Sequence, residues 1–200
     1  MPSLILHSYR RCPFAIRVRM VLEEKGIPYT VIEESLREPS ADLLRYHPEG
    51  RVPLLRHGDE VIYESSVITE YLDEAFPGPR LLPADPKQKA RMRLWTYWSQ
   101  TAFKADLDAF KYAPPADEAS LAAVKDRLIA HLDKLEAALQ APYLLGPELT
   151  LADVHVFPLV RQLSKVAGAP AFPPKVSAWL EGILARPSFA RVIAKPMASA

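Results

Sequence analysis

The stretch RRCPFAIRVRM, residues 10–20, places the only cysteine of the chain beside a proline and close to several arginines. If a helix begins at Pro13, Cys12 becomes its N-cap residue and the thiol faces the positive end of the helix dipole. Free backbone N–H groups, together with the charges of Arg10 and Arg11, then favour the thiolate. We therefore expect a pKa below that of free cysteine and a nucleophile towards disulfides and soft electrophiles.

The alternative role for Cys12 is that of a small buried hydrophobic residue, which is what an isolated cysteine usually is. Its position before a proline at a helix start favours the nucleophile. Arg17 and Arg19 are expected on a solvated helix face. Position 15 is Ala, so no CxxC dithiol exists, and thiol chemistry needs a second sulfur from outside the chain. Glutathione is the obvious intracellular donor.

Two further segments have features that a γ-glutamyl-cysteinyl-glycine tripeptide needs. If the Val52-Pro53 bond is cis, the N–H and C=O of Val52 turn outward and can pair with the cysteinyl part of the ligand. Glu64 and Ser65 lie at a predicted helix start, where N–H groups and a hydroxyl can hold an α-carboxylate and Glu64 an ammonium. In the alternative interpretation, Glu64 is a favourable first-turn charge and Ser65 or Ser66 an ordinary helix cap.

Short apolar runs alternate with helical patterns in the first 76 residues. Gly26 supplies a helix stop, and Gly58-Asp59 suits a two-residue hairpin turn. The predicted strands are residues 3–9 and 27–33 and the hairpin 52–63, and the predicted helices follow Cys12, span 40–46 and contain Ile68, Tyr71, Leu72 and Ala75. The order βαβαββα is that of an α/β thioredoxin-like domain.

The segment 77–86 is rich in proline and is predicted to be a linker between residues 1–76 and an all-helical domain, residues 87–200. Within that domain, TLAD at 150–153 has the pattern of a helix-capping box, and Trp179 is expected in the core. The predicted helical stripes contain Leu121, Val124, Leu128, Leu132, Leu135 and Leu139, and Val176, Trp179, Leu180 and Ile183.

Composition limits the possible partners. The chain of 200 residues has 25 basic and 24 acidic side chains, a formal charge of +1 that gives no overall attraction to nucleic acid or to an anionic membrane. One cysteine cannot form an intramolecular disulfide, and an apolar run begins at Leu4, so we expect no signal peptide and a cytoplasmic location. No apolar run is long enough to span a membrane.

Four segments in the same order resemble the glutathione transferase superfamily, and the first is similar to that of its cysteine-type, omega-class members. These segments are CPFAIRVR, RVPLL, YESSVITEYLDEAFP and TLADVHVFP. The resemblance implies a thioredoxin-like domain followed by an all-helical one, a homodimer, glutathione as cosubstrate and no metal.

The resemblance also implies roles for individual residues. Cys12 is the nucleophile with Phe14 beside it, Val52 before Pro53 is the backbone partner, and Glu64 with Ser65 binds the γ-glutamyl end. Arg37 and Arg51 are competing candidates for the basic residue that meets the ligand. A second-substrate pocket is expected between the domains, facing the long helix of Trp95 and Trp98, whose aromatic rings suit an apolar acceptor.

Three functions fit these residues. The leading one is a glutathione-dependent thiol transferase or reductase, of the dehydroascorbate reductase type, that forms a mixed disulfide at Cys12. The second is conventional conjugation of glutathione to a small electrophile, which needs no mixed disulfide. The third is a non-enzymatic regulator, because YLDEAFPGPRLLPADP, residues 71–86, also resembles the stringent starvation protein A family. The presence of Cys12 argues against the regulator, since that family uses no thiol there.

Overall fold

The computed structural model describes residues 3–112 and 118–194, and it divides into two compact units. One unit is Met1–Arg80 together with the segment that begins at Ala185, and the other is Leu81–Leu184. The boundary at residue 80 falls inside the predicted linker. The return of the chain after Leu184 differs from the prediction, which assigned everything from residue 87 onward to the helical domain.

The first unit contains a four-stranded mixed sheet in the order β2-β1-β3-β4. Strands β1 and β2 are parallel, and β3 is antiparallel to both β1 and β4. The elements, in chain order, are β1 (Leu4–Ser8), α1 (Pro13–Lys25), β2 (Thr30–Glu33), α2 (Ala41–Tyr46), β3 (Leu54–His57), β4 (Glu60–Tyr63) and α3 (Ser65–Ala75). The predicted order βαβαββα is confirmed.

Local signals explain several of these boundaries. Gly26 ends α1 with φ 63°, a left-handed conformation that glycine adopts without steric cost. His57 pairs with Glu60, so Gly58-Asp59 forms the predicted two-residue turn. Strand β2 begins at Thr30 rather than at residue 27, because Pro28 has no N–H to donate to a sheet.

Helix α1 is buried on more faces than its sequence suggests, because it contacts both α3 and a helix near the end of the described chain, α9 (Pro187–Ile193). Arg17 is fully buried and Arg19 is 5% exposed, so the expectation that both lie on a solvated face is wrong. Arg19 instead donates from Nη2 to the carbonyl oxygen of Arg10 at 2.5 Å.

The second unit is helical, as predicted. Its elements are α4 (Pro86–Trp98), a π-helical turn (Ser99–Phe103), α5 (Lys104–Lys111), α6 (Glu118–Ala138), α7 (Leu151–Leu163) and α8 (Pro174–Leu184). Thr150 and Asp153 form the predicted capping box at the start of α7. Asp153 is buried and also accepts hydrogen bonds from the Leu144 N–H and from Nε1 of Trp179, the predicted core residue.

Glu24 holds the segment before α9 against α1. Arg186 donates to Glu24 from Nε at 2.6 Å and from Nη2 at 2.7 Å, and Ser188 also donates to the same carboxylate. Burial raises the pKa of Glu24, but the hydrogen bonds and the charge of Arg186 outweigh it, and the net pKa lies below its usual value. A carboxyl whose pKa is lowered in the folded state stabilises that state above the unfolded pKa.

We predict that Arg186→Met lowers the free energy of unfolding at pH 7 by about 1–3 kcal/mol, because two charge-assisted hydrogen bonds are lost. The difference from the wild type should be complete above pH 4.5, the ordinary value for glutamate, and should disappear as pH falls through the lower folded pKa. Urea denaturation at several pH values measures this. Arg191→Met is the control, because the Arg191–Glu23 pair is more exposed and should contribute less than about 1 kcal/mol. A pH-independent difference would contradict the prediction.

Candidate functional site

Cys12 lies at the N-cap of α1, as predicted, in an extended conformation with Pro13 as the first helical residue. Its N–H donates to the Tyr9 carbonyl at 2.9 Å and its carbonyl accepts from the Ile16 N–H at 3.0 Å. The side chain makes no capping hydrogen bond and is half-buried. Its Sγ donates weakly to the Val52 carbonyl oxygen, 3.9 Å away. The thiol is therefore part of a site that includes Val52.

Burial raises the pKa of the Cys12 thiol above its ordinary value. The N–H groups of Ala15 and Phe14 and the charges of Arg17 and Arg19 act in the opposite direction, but they do not compensate for the loss of water around the sulfur. The expectation of a pKa below that of free cysteine is therefore wrong. At neutral pH the thiol is the main form of Cys12.

The Val52-Pro53 peptide bond is cis, and the pair directly precedes β3. Pro53 is buried, whereas Val52 is half-buried. The structure thus brings Val52 to Cys12 from a distant part of the sequence. The pairing of its backbone with a ligand remains a prediction.

Glu64 has an unusual backbone conformation at the N-cap of α3, with φ 66° and ψ 115°. Among the described residues it is the only non-glycine with a positive φ. Such a conformation costs roughly 1–3 kcal/mol, and residues that adopt it cluster at functional sites. Glu64 is exposed and makes no capping hydrogen bond. Helix capping by the Glu64 side chain therefore does not explain this backbone conformation.

Ser65 is the first residue of α3 and is 4% exposed. Its Oγ accepts a hydrogen bond from Nη1 of Arg17 at 3.2 Å. Neither Ser65 nor Ser66 is the N-cap residue, so the alternative in which one of them caps this helix is wrong. The Arg17 guanidinium also lies over the Phe14 ring, 4.7 Å from its centroid. Sequence reasoning missed Arg17 because the helical pattern gives no sign that a charged side chain is buried there.

A cavity of about 350 Å³ lies between Glu64 and the segment before Val52. Arg51 lines this cavity and pairs with Glu49 at 2.6 Å, whereas Arg37 is exposed in the loop after β2 and does not line it. The geometry therefore brings Arg51, but not Arg37, into the neighbourhood of Glu64. Both remain predictions as ligand contacts.

The same cavity contains aromatic side chains that sequence reasoning missed, namely Tyr46, Tyr63 and His47. The His47 ring lies edge-on to Tyr63 with centroids 5.3 Å apart, and its Nδ1 is buried without a hydrogen-bond partner among the described residues. The aromatic and histidine residues just before the Val-Pro pair, in RYHPEGRVP, are the signal that would have indicated this wall.

Trp98 belongs to the core of the helical unit, whereas Trp95 is half-buried. Trp98 is 8% exposed and donates from Nε1 to His131 Nδ1 at 3.3 Å. The two indoles meet edge-on at 5.1 Å, and the Lys134 ammonium lies over both rings. Trp95 also lines a cavity of about 300 Å³ within this unit. Their role in a second-substrate pocket stays a prediction.

The described residues contain no cluster of three or more histidine, cysteine or acidic side chains that could hold a metal ion. In the same part of the chain, no helix combines the length and the apolar character that crossing a membrane requires.

The mixed sheet with a cysteine at the first helix start and a cis proline opposite defines a thioredoxin-like unit, here followed by a helical one. The N-terminal domain of glutathione S-transferase matches residues 6–80, and the C-terminal domain of the same family matches residues 118–182. The chain belongs to the glutathione S-transferase family.

Two individual proteins are similar to this chain over almost its whole length. Glutathione S-transferase omega-1 of Sus scrofa is 30% identical over 197 residues, 96% of this chain and 80% of its own length. A stringent starvation protein A homolog of Haemophilus ducreyi is 29% identical over 196 residues, 94% of this chain and 88% of its own.

Solved structures give the same result. Glutathione transferase Omega 3C from Trametes versicolor superimposes with a TM-score of 0.86 at 27% identity, covering 96% of this chain and 84% of its own. A glutathione transferase homolog from Sulfitobacter, with bound glutathione, has a TM-score of 0.80 at 28% identity. The match covers 96% of this chain and 97% of the homolog.

The raised pKa of Cys12 leads to a prediction about its reactivity. Labelling by iodoacetamide should be slow at pH 6 and should accelerate about tenfold per pH unit up to pH 8, because the thiolate fraction rises in that proportion below the pKa. Intact-mass spectrometry reports it directly, since Cys12 is the only cysteine. N-acetylcysteine in the same buffers is the control. Equal rates at pH 6 and pH 8 would show that the pKa is lowered instead.

The strained Glu64 gives a second prediction. Glu64→Gly should raise the free energy of unfolding by about 1 kcal/mol, because glycine adopts a positive φ without the cost that glutamate incurs. The same change should weaken glutathione binding about tenfold, since a carboxylate that can pair with the ligand ammonium is lost.

Two variants serve as controls for this experiment. Glu64→Gln should weaken binding similarly without the gain in stability. Glu74→Gln, an exposed change on the same helix, should alter the dissociation constant less than about twofold. If Glu64→Gly binds glutathione with the same dissociation constant as the wild type, Glu64 is not a ligand contact.

Proposed function

We propose that the protein is a glutathione-dependent thiol transferase or reductase that acts through a mixed disulfide at Cys12. The observation that carries the proposal is the placement of the Cys12 thiol at the N-terminus of α1, with its sulfur 3.9 Å from the Val52 carbonyl. The membership of the chain in the glutathione S-transferase family supports glutathione as the cosubstrate.

The chemistry takes two exchange steps. The Cys12 thiolate attacks the glutathionyl sulfur of a mixed disulfide, forms the Cys12–glutathione disulfide and releases the other thiol as thiolate. A glutathione thiolate then attacks the glutathionyl sulfur of that intermediate, which yields glutathione disulfide and restores the Cys12 thiolate. The substrate disulfide is reduced to a thiol and one added glutathione is oxidised, so the glutathione disulfide contains that glutathione and the glutathionyl group of the substrate.

Glutathionylated thiols are candidate substrates that enter these steps directly. Glutathionyl adducts, and dehydroascorbate after one glutathione has added to a carbonyl carbon, are candidates that enter through attack of the Cys12 thiolate on the glutathionyl sulfur. The carbon–sulfur bond then breaks, and its electron pair leaves with the carbon fragment, which takes up a proton.

The raised pKa of Cys12 is compatible with this chemistry but sets its pH dependence. A thiol of higher pKa gives less thiolate at neutral pH, although each thiolate is intrinsically more nucleophilic. The exchange rate should therefore rise with pH through the neutral range. The N–H groups of Phe14 and Ala15 and the Arg17 charge are the groups that stabilise the thiolate when it forms.

Conventional conjugation of glutathione to a small electrophile is the second candidate, and the raised pKa of Cys12 is the observation that favours it. In that reaction the thiolate belongs to glutathione, and a neutral Cys12 S–H at the helix start donates a hydrogen bond to it. No mixed disulfide is formed.

A regulator without transferase activity is the third candidate, and it is favoured by the similarity to the stringent starvation protein A homolog over almost the whole chain. Failure of the wild-type protein to bind glutathione in calorimetry would support this candidate over both enzymes.

The other expectations become proposals as well. We propose a cytoplasmic homodimer with two-fold symmetry, in which glutathione meets Val52, Pro53, Glu64 and Ser65 beside Phe14, and Arg51 or Arg37 meets its glycine end. Sedimentation at the mass of a 22.4 kDa monomer at micromolar concentration would reject the dimer.

Replacing Cys12 separates the two enzymatic candidates. For the thiol transferase, both Cys12→Ala and Cys12→Ser should abolish reduction of hydroxyethyl disulfide and of dehydroascorbate and should remove the glutathione adduct from the intact mass, because neither side chain forms a disulfide. The free energy of unfolding should change by less than about 1 kcal/mol, since the side chain is half-buried.

For conjugation, a chloronitrobenzene assay gives the opposite pattern. Cys12→Ser should keep conjugation within about threefold of the wild type, because a hydroxyl also donates to the glutathione thiolate, and Cys12→Ala should lose about tenfold. Full disulfide reductase activity in Cys12→Ala would overturn the proposed mechanism.

A further inference from the structure

Arg17 is an ionised side chain without solvent exposure, placed directly behind the candidate site. Its Nη1 donates to Ser65 Oγ at 3.2 Å and its guanidinium lies 4.7 Å from the centroid of the Phe14 ring. Burial lowers the pKa of Arg17 to about 9, and the charges of Cys12 and Glu64 act in the opposite direction. The guanidinium therefore interacts with four residues of the candidate site.

The hydrogen bond between Arg17 and Ser65 determines what the serine hydroxyl can do. A guanidinium can only donate, so Ser65 Oγ must be the acceptor. The hydroxyl then keeps its own hydrogen for a different acceptor. Ser65 is the first residue of α3, so no carbonyl of an earlier helical turn is available to it, in contrast to Thr69, whose hydroxyl donates to the Ser66 carbonyl at 2.9 Å.

The surroundings of Ser65 favour an anion as that acceptor. The N-terminus of an eleven-residue helix carries unpaired N–H groups and a partial positive charge. The buried Arg17 charge adds to this potential, and little water is available to screen it. A carboxylate at this point accepts from the hydroxyl and from backbone N–H groups together.

We propose that Arg17 is a positioning residue that fixes Ser65 as a hydrogen-bond donor to the α-carboxylate of the γ-glutamyl group, and so makes recognition of glutathione depend on that carboxylate. The inference rests on the use of glutathione in the proposed function. It adds a specificity determinant that touches Ser65 and Phe14 from the protein interior and does not contact the ligand.

If Arg17 had only a structural role, its replacement would lower the free energy of unfolding and would leave the discrimination between ligands unchanged. A buried charge costs much to desolvate, and an apolar side chain of similar length is often neutral or favourable for stability at such a position. Arg17→Met is therefore expected to leave folding intact, while the loss of a charge-assisted donor network weakens carboxylate binding. Stability and ligand discrimination separate the two roles.

The test compares two ligands by isothermal titration calorimetry. One is glutathione, and the other is γ-aminobutyryl-cysteinylglycine, which keeps the ammonium and lacks the α-carboxylate. The dissociation constant of the analogue divided by that of glutathione measures recognition of the α-carboxylate. This ratio is independent of any reaction at Cys12. Arg17→Met should reduce this ratio about tenfold, mainly by weakening glutathione binding, and should change the affinity for the analogue less than about threefold.

Arg19→Met is the matched control, because Arg19 is a second buried arginine on α1 and donates to the Arg10 carbonyl rather than to Ser65. It should leave the ratio within about twofold of the wild type. Ser65→Ala should reduce the ratio as Arg17→Met does, and the double variant should lose little more than either one, because both act on the same hydrogen bond. Additive losses in the double variant would overturn the inference.

Arg17→Lys keeps the proposal testable if Arg17→Met does not fold. An ammonium also donates hydrogen bonds and keeps the positive charge, although it loses the stacking on Phe14, so the ratio should stay within about threefold of the wild type. A loss in Arg17→Lys as large as that in Ser65→Ala would overturn the inference.

The failure of the inference and the failure of the proposed function give different results. Equal weakening of both ligands in Arg17→Met rejects the inference alone. Normal discrimination by a wild-type protein without disulfide reductase activity rejects the thiol transferase and leaves the inference standing. A wild-type protein that binds neither ligand rejects both.

Discussion

Helix α1 packs against α3 and α9, and the burial that results decides the chemistry of the candidate site. The packing places the N-terminus of α1 near that of α3, where the Arg17–Ser65 hydrogen bond joins the two. It also removes water from two guanidinium groups, which are retained because each finds acceptors or an aromatic face. The candidate site thus depends on a helix that has two arginine side chains buried in the protein interior.

The state of Cys12 is the outcome of two opposing effects of this packing. The end of α1 supplies N–H groups that stabilise a negative sulfur, and the same packing excludes the water that would solvate it. In the free protein the second effect is larger. A helix N-terminus is therefore insufficient for a low thiol pKa, because its contribution is modest compared with the desolvation of an ion.

Sequence reasoning succeeded where the signal is local. Gly26 at a helix end, Gly58-Asp59 between two strands and Thr150 with Asp153 at a helix start each act within a few residues, and the structure confirms all three. The order of strands and helices followed from the same kind of pattern.

The errors concern features that depend on partners distant in sequence. Arg17 and Arg19 were expected in solvent, because helical periodicity does not reveal which faces of α1 are covered by α3 and α9. The positive φ of Glu64 carries no compositional signal, since glycine is the residue that indicates it. The thiol pKa depends on solvent exclusion, which only the folded packing determines.

The attachment of α9 to α1 also constrains the order of events during protein synthesis. The first unit needs a segment that is translated only after the whole of Leu81–Leu184, a separation of 104 residues. At a ribosomal speed of about 5–20 residues per second, one face of α1 remains uncovered for roughly 5–20 s after its sheet has emerged. The part of α1 that α9 covers therefore stays in solvent until Arg186 reaches Glu24, even though nearly all residues of this unit are made first.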